Sequence, residues 1–180
     1  MRVIETEIPA VKLVELDAFP DDRGSFVRHW NDRDWAKLGM GPFVADNVSF
    51  SHSGVLRGLH IQIVEPQGKL VSALAGAIYD VAVDLREGSG TFGQWVGVHL
   101  RAGDARQLWV PPGFAHGFCV TEGPATVHYR CTTDYRPEEQ AGIRWDDPEL
   151  GIDWPIASPI LSERDAQLPG LRGVAPVRSA

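Results

Sequence analysis

One apolar stretch of this sequence carries three side chains that can do polar chemistry. VLRGLHIQ, residues 55–62, places Arg57, His60 and Gln62 among residues typical of a buried strand. Further polar residues in apolar surroundings are Lys69, Asp84, His116 and Tyr129. Because a buried charge is costly unless it is paired, Lys69 requires either a solvent-facing strand end or an anionic partner. Several such residues on neighbouring strands indicate a polar site within a β fold.

An imidazole and a phenol are the candidates for acid–base chemistry. If Tyr129 faces the same cavity as His60, it can act as an acid opposite a base, and such groups contribute about 100- to 10,000-fold each. Asp165, in LSERDAQ, can fix the histidine tautomer and raise its basicity. Each residue also has a plain structural alternative: a satisfied core histidine, a packing tyrosine and a solvated carboxylate.

His116 follows a turn in VPPGFAHGF, residues 110–118. Small β-barrels of the cupin type place a metal-binding histidine after such a turn, and an imidazole bonded to a backbone carbonyl is the alternative. A metal site needs three or four His or carboxylate ligands. The segment HIQ, at 60–62, lacks the second histidine of such a site, and Gln62 is a poor ligand. We therefore predict that no metal is bound.

The composition is that of one globular domain. The chain has 180 residues, of which 43% are hydrophobic, and the formal net charge is −7. No signal-type leader is evident and no run approaches the roughly 20 apolar residues that span a bilayer, so we predict a soluble, cytoplasmic protein. The negative charge argues against a nucleic-acid surface, although a local cluster of cations can still bind an anionic small molecule. Cys119 and Cys131, both within apparent strands, are predicted to be structural thiols.

Short β-branched and aromatic runs alternate with turn signals along most of the chain. This cadence predicts an all-β sandwich or barrel. The predicted strands are 11–16, 25–30, 46–51, 55–62, 69–75, 77–85, 94–100, 106–111, 117–121 and 125–133. Turns are expected around Gly76 and within TEGP, residues 121–124.

Helical signals are scarce. DRDWAKLG, residues 32–39, predicts one helix with Asn31 or Asp32 as the N-cap. The single domain, 1–180, is expected to end in a partly irregular tail from about residue 156, where Ser162 can cap one short turn or helix.

Alternation along residues 55–62 assigns the polar side chains to faces. Leu59 and Ile61 share one face, so His60 points away from one hydrophobic layer. On a regular strand Arg57 and His60 would point in opposite directions. Gly58 permits a bulge that re-aims one of them.

Ten motifs, in order, resemble the dTDP-4-dehydrorhamnose 3,5-epimerases. They are RGSF (23–26), DN (46–47), VLRGLHIQ (55–62), QGKL (67–70), YDVAVDLR (79–86), TFGQWVGV (91–98), RQLWVPPGFAHGF (106–118), YRCTTDY (129–135), IRWDDPELGIDWP (143–155) and LSERD (161–165). The resemblance implies a cupin-like jelly roll and a homodimer whose subunits contribute strands to one another's sheets, with no metal or organic cofactor. It also implies that protons are removed and returned at C3 and C5 of a nucleotide-linked 4-keto sugar.

The resemblance implies roles for the matching residues. His60 is the base, Asp165 its carboxylate partner and Tyr129 the donor on the opposite face, while Lys69 holds the enolate oxygen. The predicted substrate-binding residues are Arg23, Phe26, Asn47, Arg57, Gln62, His116, Tyr135 and Arg164.

Four residues depart from the family pattern. Ala45 replaces a common glutamine, Arg28 an acidic residue, Val48 a histidine and Gln140 a glutamate. The chemistry is predicted to be retained, while recognition is open to another nucleotide, another sugar or inversion of a single carbon. A metal-dependent cupin enzyme and a non-catalytic sugar-nucleotide-binding module are the alternatives from other classes.

Overall fold

The computed structural model describes residues 1–178. Within them, nine β-strands form one sheet and two more form a separate hairpin. The strands are β1 (Arg2–Glu5), β2 (Lys12–Glu15), β3 (Ala18–Asp21), β4 (Gly24–Val27), β5 (Ala45–Ser51), β6 (Leu56–Gln62), β7 (Lys69–Asp84), β8 (Trp95–Arg101), β9 (Arg106–Val110), β10 (Phe114–Cys131) and β11 (Gln140–Gly142). The helices are α1 (Asp32–Lys37) and α2 (Glu163–Ala166), with 3₁₀ turns at Pro137–Glu139 and Leu171–Gly173. The predicted all-β fold is confirmed.

Strands β7 and β10 are longer than the sequence predicts. The turns expected at Gly76 and at 121–124 are wrong as chain reversals, because both lie within continuous strands of 16 and 18 residues. Gly76 has φ +70°, and a Cβ there would lie 2.4 Å from the carbonyl oxygen of Glu122. Glycine therefore allows β7 to bend tightly against β10.

The bend folds the single sheet into two layers. The first part of β7 pairs with β9, and the part after Gly76 pairs with β8. In the same way, β10 pairs first with β6 and then with β5. We call the layer with β2, β9 and β5 layer one, and the layer with β8, β6 and β11 layer two. Both contain a half of β7 and of β10, which gives a jelly roll.

Apolar side chains from both layers meet in the interior. Members of this core cluster include Val71, Ile78, Ala82, Val110, Phe118 and Val127. Leu59 and Ile61 instead belong to a cluster with Trp154 and Val177 from the C-terminal segment, on the outer face of layer two. His60, between them in sequence, therefore points away from this hydrophobic cluster, as predicted, and faces the interior.

The local signals for α1 and α2 are confirmed. The side chain of Asn31 accepts a hydrogen bond from the N–H of Asp34, and Gly39 follows the helix with φ +71°. Ser162 caps α2 by accepting from the N–H of Asp165. Trp35 of α1 packs on the outer face of layer one. The predicted strand 25–30 is shorter than expected and ends at Val27.

Two simpler expectations concern the thiols and membrane helices. Cys119 and Cys131 are buried and free, which confirms their prediction as structural thiols. In the part of the chain that the structure describes, no helix has the length and apolar character needed to cross a bilayer.

Candidate active site

A cavity of about 290 Å³ opens between the two layers. All four predicted catalytic side chains line it: His60, Lys69, Tyr129 and Asp165. A second space of about 290 Å³ shares lining residues with the first, among them His60, Lys69 and Tyr129. The predicted binding residues that line these spaces are Asn47, Arg57, His116, Tyr135 and Arg164.

A bulge in β6 brings Arg57 and His60 into the same cavity. His60 pairs with His116 of β10 and Arg57 pairs with Phe118, so β6 uses one more residue than β10 over this interval. Gly58, with φ +124°, occupies the irregular position. A Cβ on Gly58 would lie 2.5 Å from the Cα of Gly117, so the two strands can approach this closely only with glycine. The predicted bulge is confirmed.

His60 is held by a buried carboxylate. Its Nε2 lies 2.6 Å from Oδ1 of Asp165, while Oδ2 of Asp165 accepts from the N–H of Gly58 at 3.3 Å. Burial alone would raise the pKa of Asp165, but these hydrogen bonds outweigh it and the pKa lies below its ordinary value. Asp165 therefore stays a carboxylate, which orients the imidazole and favours its protonated form after it takes a proton.

Tyr129 and Lys69 lie on the wall opposite His60. Tyr129 pairs with Asn47 of β5, and Lys69 pairs with Val110 of β9, so both belong to layer one. Burial raises the pKa of Tyr129, so its phenol keeps a proton at neutral pH. The cavity therefore presents an imidazole–carboxylate pair on one wall and a proton-bearing phenol with a lysine on the other.

Positive charge is concentrated in this cavity although the chain as a whole is negative. Arg57, Lys69 and Arg164 line it, and Asp165 is the carboxylate among the described lining residues. The guanidinium of Arg57 is fixed by donating from Nε to Ser51 Oγ at 3.0 Å and from Nη2 to the carbonyl of Phe50 at 3.3 Å. Such a cavity suits an anionic ligand.

Gln62 is not among the residues lining the cavity. It is 3% exposed, and its Nε2 donates to the carbonyls of Glu65 and Asp134. Its Oε1 accepts from the N–H of Arg136 at 2.9 Å. Gln62 therefore joins two loops of its own chain, and the substrate contact predicted for it stays a prediction.

Arg23 and Phe26 lie outside the cavity of their own chain. Both are on the β3–β4 hairpin, where Arg23 pairs with Asp21 and Phe26 packs beside Phe19. The side chain of Arg23 is 89% exposed, and Phe26 is 66% exposed.

The four departures from the family pattern are dispersed. Gln140 lines the cavity and accepts from the Tyr135 hydroxyl at 2.7 Å. Arg28 lines a different, smaller cavity beside Trp35, and Val48 is exposed on β5. Ala45 is half-buried at the start of β5. Within this chain, only Gln140 among the four lines the site.

Several residues that line the site were not predicted from the sequence. Ser49, Phe118 and Ser162 line the cavity, and Gln67 lines the second space. Ser49 lies two residues after Asn47 on β5, so strand alternation was a usable signal for it. Ser162 was recognised only as a helix cap.

Among residues 1–178, no group of three or more His, Cys, Asp or Glu side chains is arranged to hold a metal ion.

Comparison with known proteins identifies the family. The sequence model described as dTDP-4-dehydrorhamnose 3,5-epimerase matches residues 5–173. The chain belongs to this family. The dTDP-4-dehydrorhamnose 3,5-epimerase of Pseudomonas aeruginosa is 51% identical over 170 residues, which cover 93% of this chain and 94% of that protein.

Solved structures of family members share the fold. A dTDP-6-deoxy-D-glucose-3,5-epimerase from Legionella pneumophila, in complex with dTDP-4-keto-L-rhamnose, has a TM-score of 0.95 and 45% identity, with 99% of each chain covered. A dTDP-4-dehydrorhamnose 3,5-epimerase from Bacillus anthracis, with TDP and PPi bound, has a TM-score of 0.91 and 47% identity, with 94% of this chain and 99% of that chain covered. The predicted cupin-like jelly roll is confirmed, and the protein is an epimerase of the isomerase class.

Proposed function

We propose that this protein inverts C3 and C5 of dTDP-4-dehydro-6-deoxy-glucose and forms dTDP-4-dehydro-L-rhamnose. One observation supports the proposal above all: the His60–Asp165 pair and Tyr129 line a single cavity from opposite layers. The ligands named for the Legionella and Bacillus structures, a dTDP-linked keto sugar and TDP, support the same substrate class.

The proposed reaction is a proton exchange beside a ketone. His60 takes the proton from the carbon next to the 4-ketone. The electrons of the C–H bond form a carbon–carbon double bond, and the π electrons of the carbonyl group move to its oxygen. Lys69, in its ammonium form, stabilises the negative charge of the resulting enolate oxygen. Tyr129 then returns a proton to the opposite face of the same carbon, and both side chains recover their starting state by exchange with water. No cofactor enters this scheme.

The nucleotide diphosphate is proposed to occupy the cationic part of the cavity. Arg57 and Arg164 are suited to phosphate oxygens because a guanidinium donates in a planar fork. His116 and Asn47 supply further polar contacts, and Tyr135, which is more than half exposed, can stack on the ligand at the mouth. A substrate of this kind supports a cytoplasmic location, because nucleotides are made in the cytoplasm.

A homodimer is part of the proposal, because Arg23 and Phe26 lie outside the cavity of their own chain. A hairpin with two exposed aromatic rings, Phe19 and Phe26, is suited to packing on a second copy. Arg23 would then reach the partner's site. Mixing an Arg23→Ala chain with a His60→Asn chain would regenerate one intact site per mixed dimer and restore roughly a quarter of the parental activity. Activity that stays at the level of the separate variants would contradict the shared site.

The reaction is tested by turnover in deuterated water. Incubation of the protein with dTDP-4-dehydro-6-deoxy-glucose is expected to place deuterium at both C3 and C5 of the product, read by NMR. Label at C3 alone would indicate a mono-epimerase, and no label at either carbon would contradict the proposal. The same assay with UDP-, CDP- and GDP-linked 4-keto sugars identifies the preferred nucleotide.

A further inference from the structure

A second buried histidine–carboxylate pair forms part of the cavity wall. Nε2 of His116 lies 2.8 Å from Oδ1 of Asp80. The side chain of His116 is 7% exposed and that of Asp80 is fully buried. His116 lines the cavity, so Asp80 lies directly behind a residue that faces it.

One oxygen of Asp80 has no hydrogen-bond partner. Oδ2 is buried and receives no donor from residues 1–178, and the hydrogen bond from His116 goes to Oδ1. A buried carboxylate with a single hydrogen bond is costly unless a nearby cation stabilises its charge. A cation that faces the same space would therefore stabilise the carboxylate of Asp80.

Lys69 is such a cation, and the bend in β7 directs it and Asp80 into the same interior. Lys69 is two residues from Val71, and Asp80 is two residues from both Ile78 and Ala82. These three apolar residues all belong to the interior core cluster. By strand alternation, Lys69 of layer one and Asp80 of layer two both face the space between the layers.

Among the residues that the structure describes, the other charged or titratable groups lining this space come from β6, β10, the loop after β10 and α2. They are Arg57 and His60 from β6, His116, Tyr129 and Cys131 from β10, Tyr135 from the loop after β10, and Arg164 and Asp165 from α2. Asp165 is already bonded to His60. Asp80 is therefore the carboxylate left to balance Lys69.

The environment of Lys69 needs such an anion. Burial lowers the pKa of Lys69, and Cys131 and Asp80 act in the opposite direction. Burial also raises the pKa of the Cys131 thiol, so this group is uncharged near neutral pH. At neutral pH, Asp80 is therefore the group that counteracts the effect of burial on the pKa of Lys69.

We propose that Asp80 is a positioning residue of this site, which keeps Lys69 in the ammonium form and fixes the ring of His116. The inference rests on the proposed function for its catalytic meaning, since an uncharged lysine would stabilise an enolate oxygen far less. The charge relationship between Asp80 and Lys69 holds independently of turnover.

The chain allows this relationship to be measured directly, because it contains three lysines. Lys12 and Lys37 form surface ion pairs with Glu5 and Asp34, so the third ¹⁵Nζ signal of a ¹⁵N-lysine-labelled protein belongs to Lys69. Asp80→Asn is expected to lower the measured pKa of Lys69 by about one unit, because an opposite charge favours the charged form. An unchanged Lys69 titration in Asp80→Asn would overturn the proposal.

Asp46→Asn is the matched control. Asp46 also bonds a histidine, His128, and an arginine, Arg130, but this pair does not line the cavity. The Asp46→Asn protein is expected to keep the parental titration of Lys69. A shift equal to that of Asp80→Asn would overturn the proposal, because the effect would then not be specific to Asp80.

Activity gives a second readout that a purely structural role would not move. In Asp80→Asn, the alkaline limb of the kcat profile should move to lower pH by the same amount as the Lys69 titration, and Asp80→Glu should restore the parental limb. A lower kcat with unchanged pH limbs would contradict the proposal.

If neither variant folds, the measurement is made on the parental protein. A ¹⁵Nζ signal showing that Lys69 is already uncharged at about pH 7 would overturn the proposal. Failure of the proposed function would appear separately, as an absence of deuterium exchange in the parental protein.

Discussion

His60 and Asp165 form a 2.6 Å pair although 105 residues separate them in the chain. The pair depends on two local features. A bulge at Gly58 turns His60 inward, and the Ser162 cap begins the short helix that contains Asp165. The N–H of Gly58 also donates to the same carboxylate. The strand and the helix are therefore joined at the functional group itself.

Loss of the Asp165 charge should reduce chemistry more than binding. Asp165→Asn is expected to lower kcat by about 100-fold or more and to change KM little, because the imidazole loses the anion that stabilises its protonated form. Steady-state kinetics measures this split. Ser162→Ala, which removes the helix cap but keeps the carboxylate of Asp165, is the milder comparison. An Asp165→Asn protein with parental kcat would show that the pair has no catalytic role.

Gly58 should be essential for the shape of the site. Gly58→Ala is expected to cost about 3 kcal/mol or more, since the new Cβ would meet Gly117 and the φ of +124° disfavours a side chain. Gly103 also has a positive φ, but nothing lies within 4 Å of a Cβ there. Gly103→Ala is therefore expected to cost about 1–2 kcal/mol. Urea unfolding of both variants tests this, and equal losses would contradict the close approach of β6 and β10.

Most of the fold was readable from local sequence patterns. The alternation in β5, β6, β8 and β9, the Asn31 cap and the Gly58 bulge are properties of a few consecutive residues. The bends inside β7 and β10 could not be predicted. A glycine or a TEGP segment indicates a change of chain direction, but it does not indicate whether strand pairing continues through the bend. Strands β1, β3 and β11 are too short to show a period.

The site was only partly readable, for a related reason. His60, Lys69 and Tyr129 stand out because polar groups in apolar strands are costly and need a reason. Asp80 has the same property, but its significance depends on the register that places Phe118 opposite Asp80 and Ala82 opposite His116. Arg23 and Phe26 matched the family motif, yet their own chain keeps them outside the cavity. The spacing of residues along one chain does not indicate that these two side chains lie outside the cavity.

Gln62 should matter for stability and not for binding. Gln62→Met keeps the side-chain length but removes a donor and an acceptor that serve three backbone groups, so the free energy of unfolding should fall by about 1–3 kcal/mol. The KM of the folded fraction should remain within about twofold of the parental value. Denaturant unfolding and kinetics on the same preparation check both. A raised KM with parental stability would make Gln62 a substrate contact.

Asp84 should give the fold a defined acid sensitivity. Burial opposes its ionisation, but hydrogen bonds from Arg86, Ser89 and Thr91 prevail and lower its pKa from 3.8 to about 2. A lowered folded pKa stabilises the fold above the unfolded pKa, and this stability is lost as the pH falls through the folded value. The parental protein should therefore lose about 2 kcal/mol relative to Asp84→Asn between about pH 5 and pH 2.

Unfolding free energies across this pH range measure the difference between the two proteins. Asp146→Asn is the control, because Asp146 pairs with Arg144 at the surface, where solvent screens the charges. A parental-minus-Asp84→Asn difference that does not vary with pH would contradict the assigned network.

The division of labour between His60 and Tyr129 is the central claim, and hydrogen exchange in deuterated water tests it most directly. With dTDP-4-dehydro-6-deoxy-glucose as substrate, His60→Asn is expected to abolish exchange at C3 and C5, because no base removes the proton. Tyr129→Phe is expected to permit some exchange with little inverted product, because abstraction can precede donation. Equal loss of exchange and inversion in both variants would contradict the account.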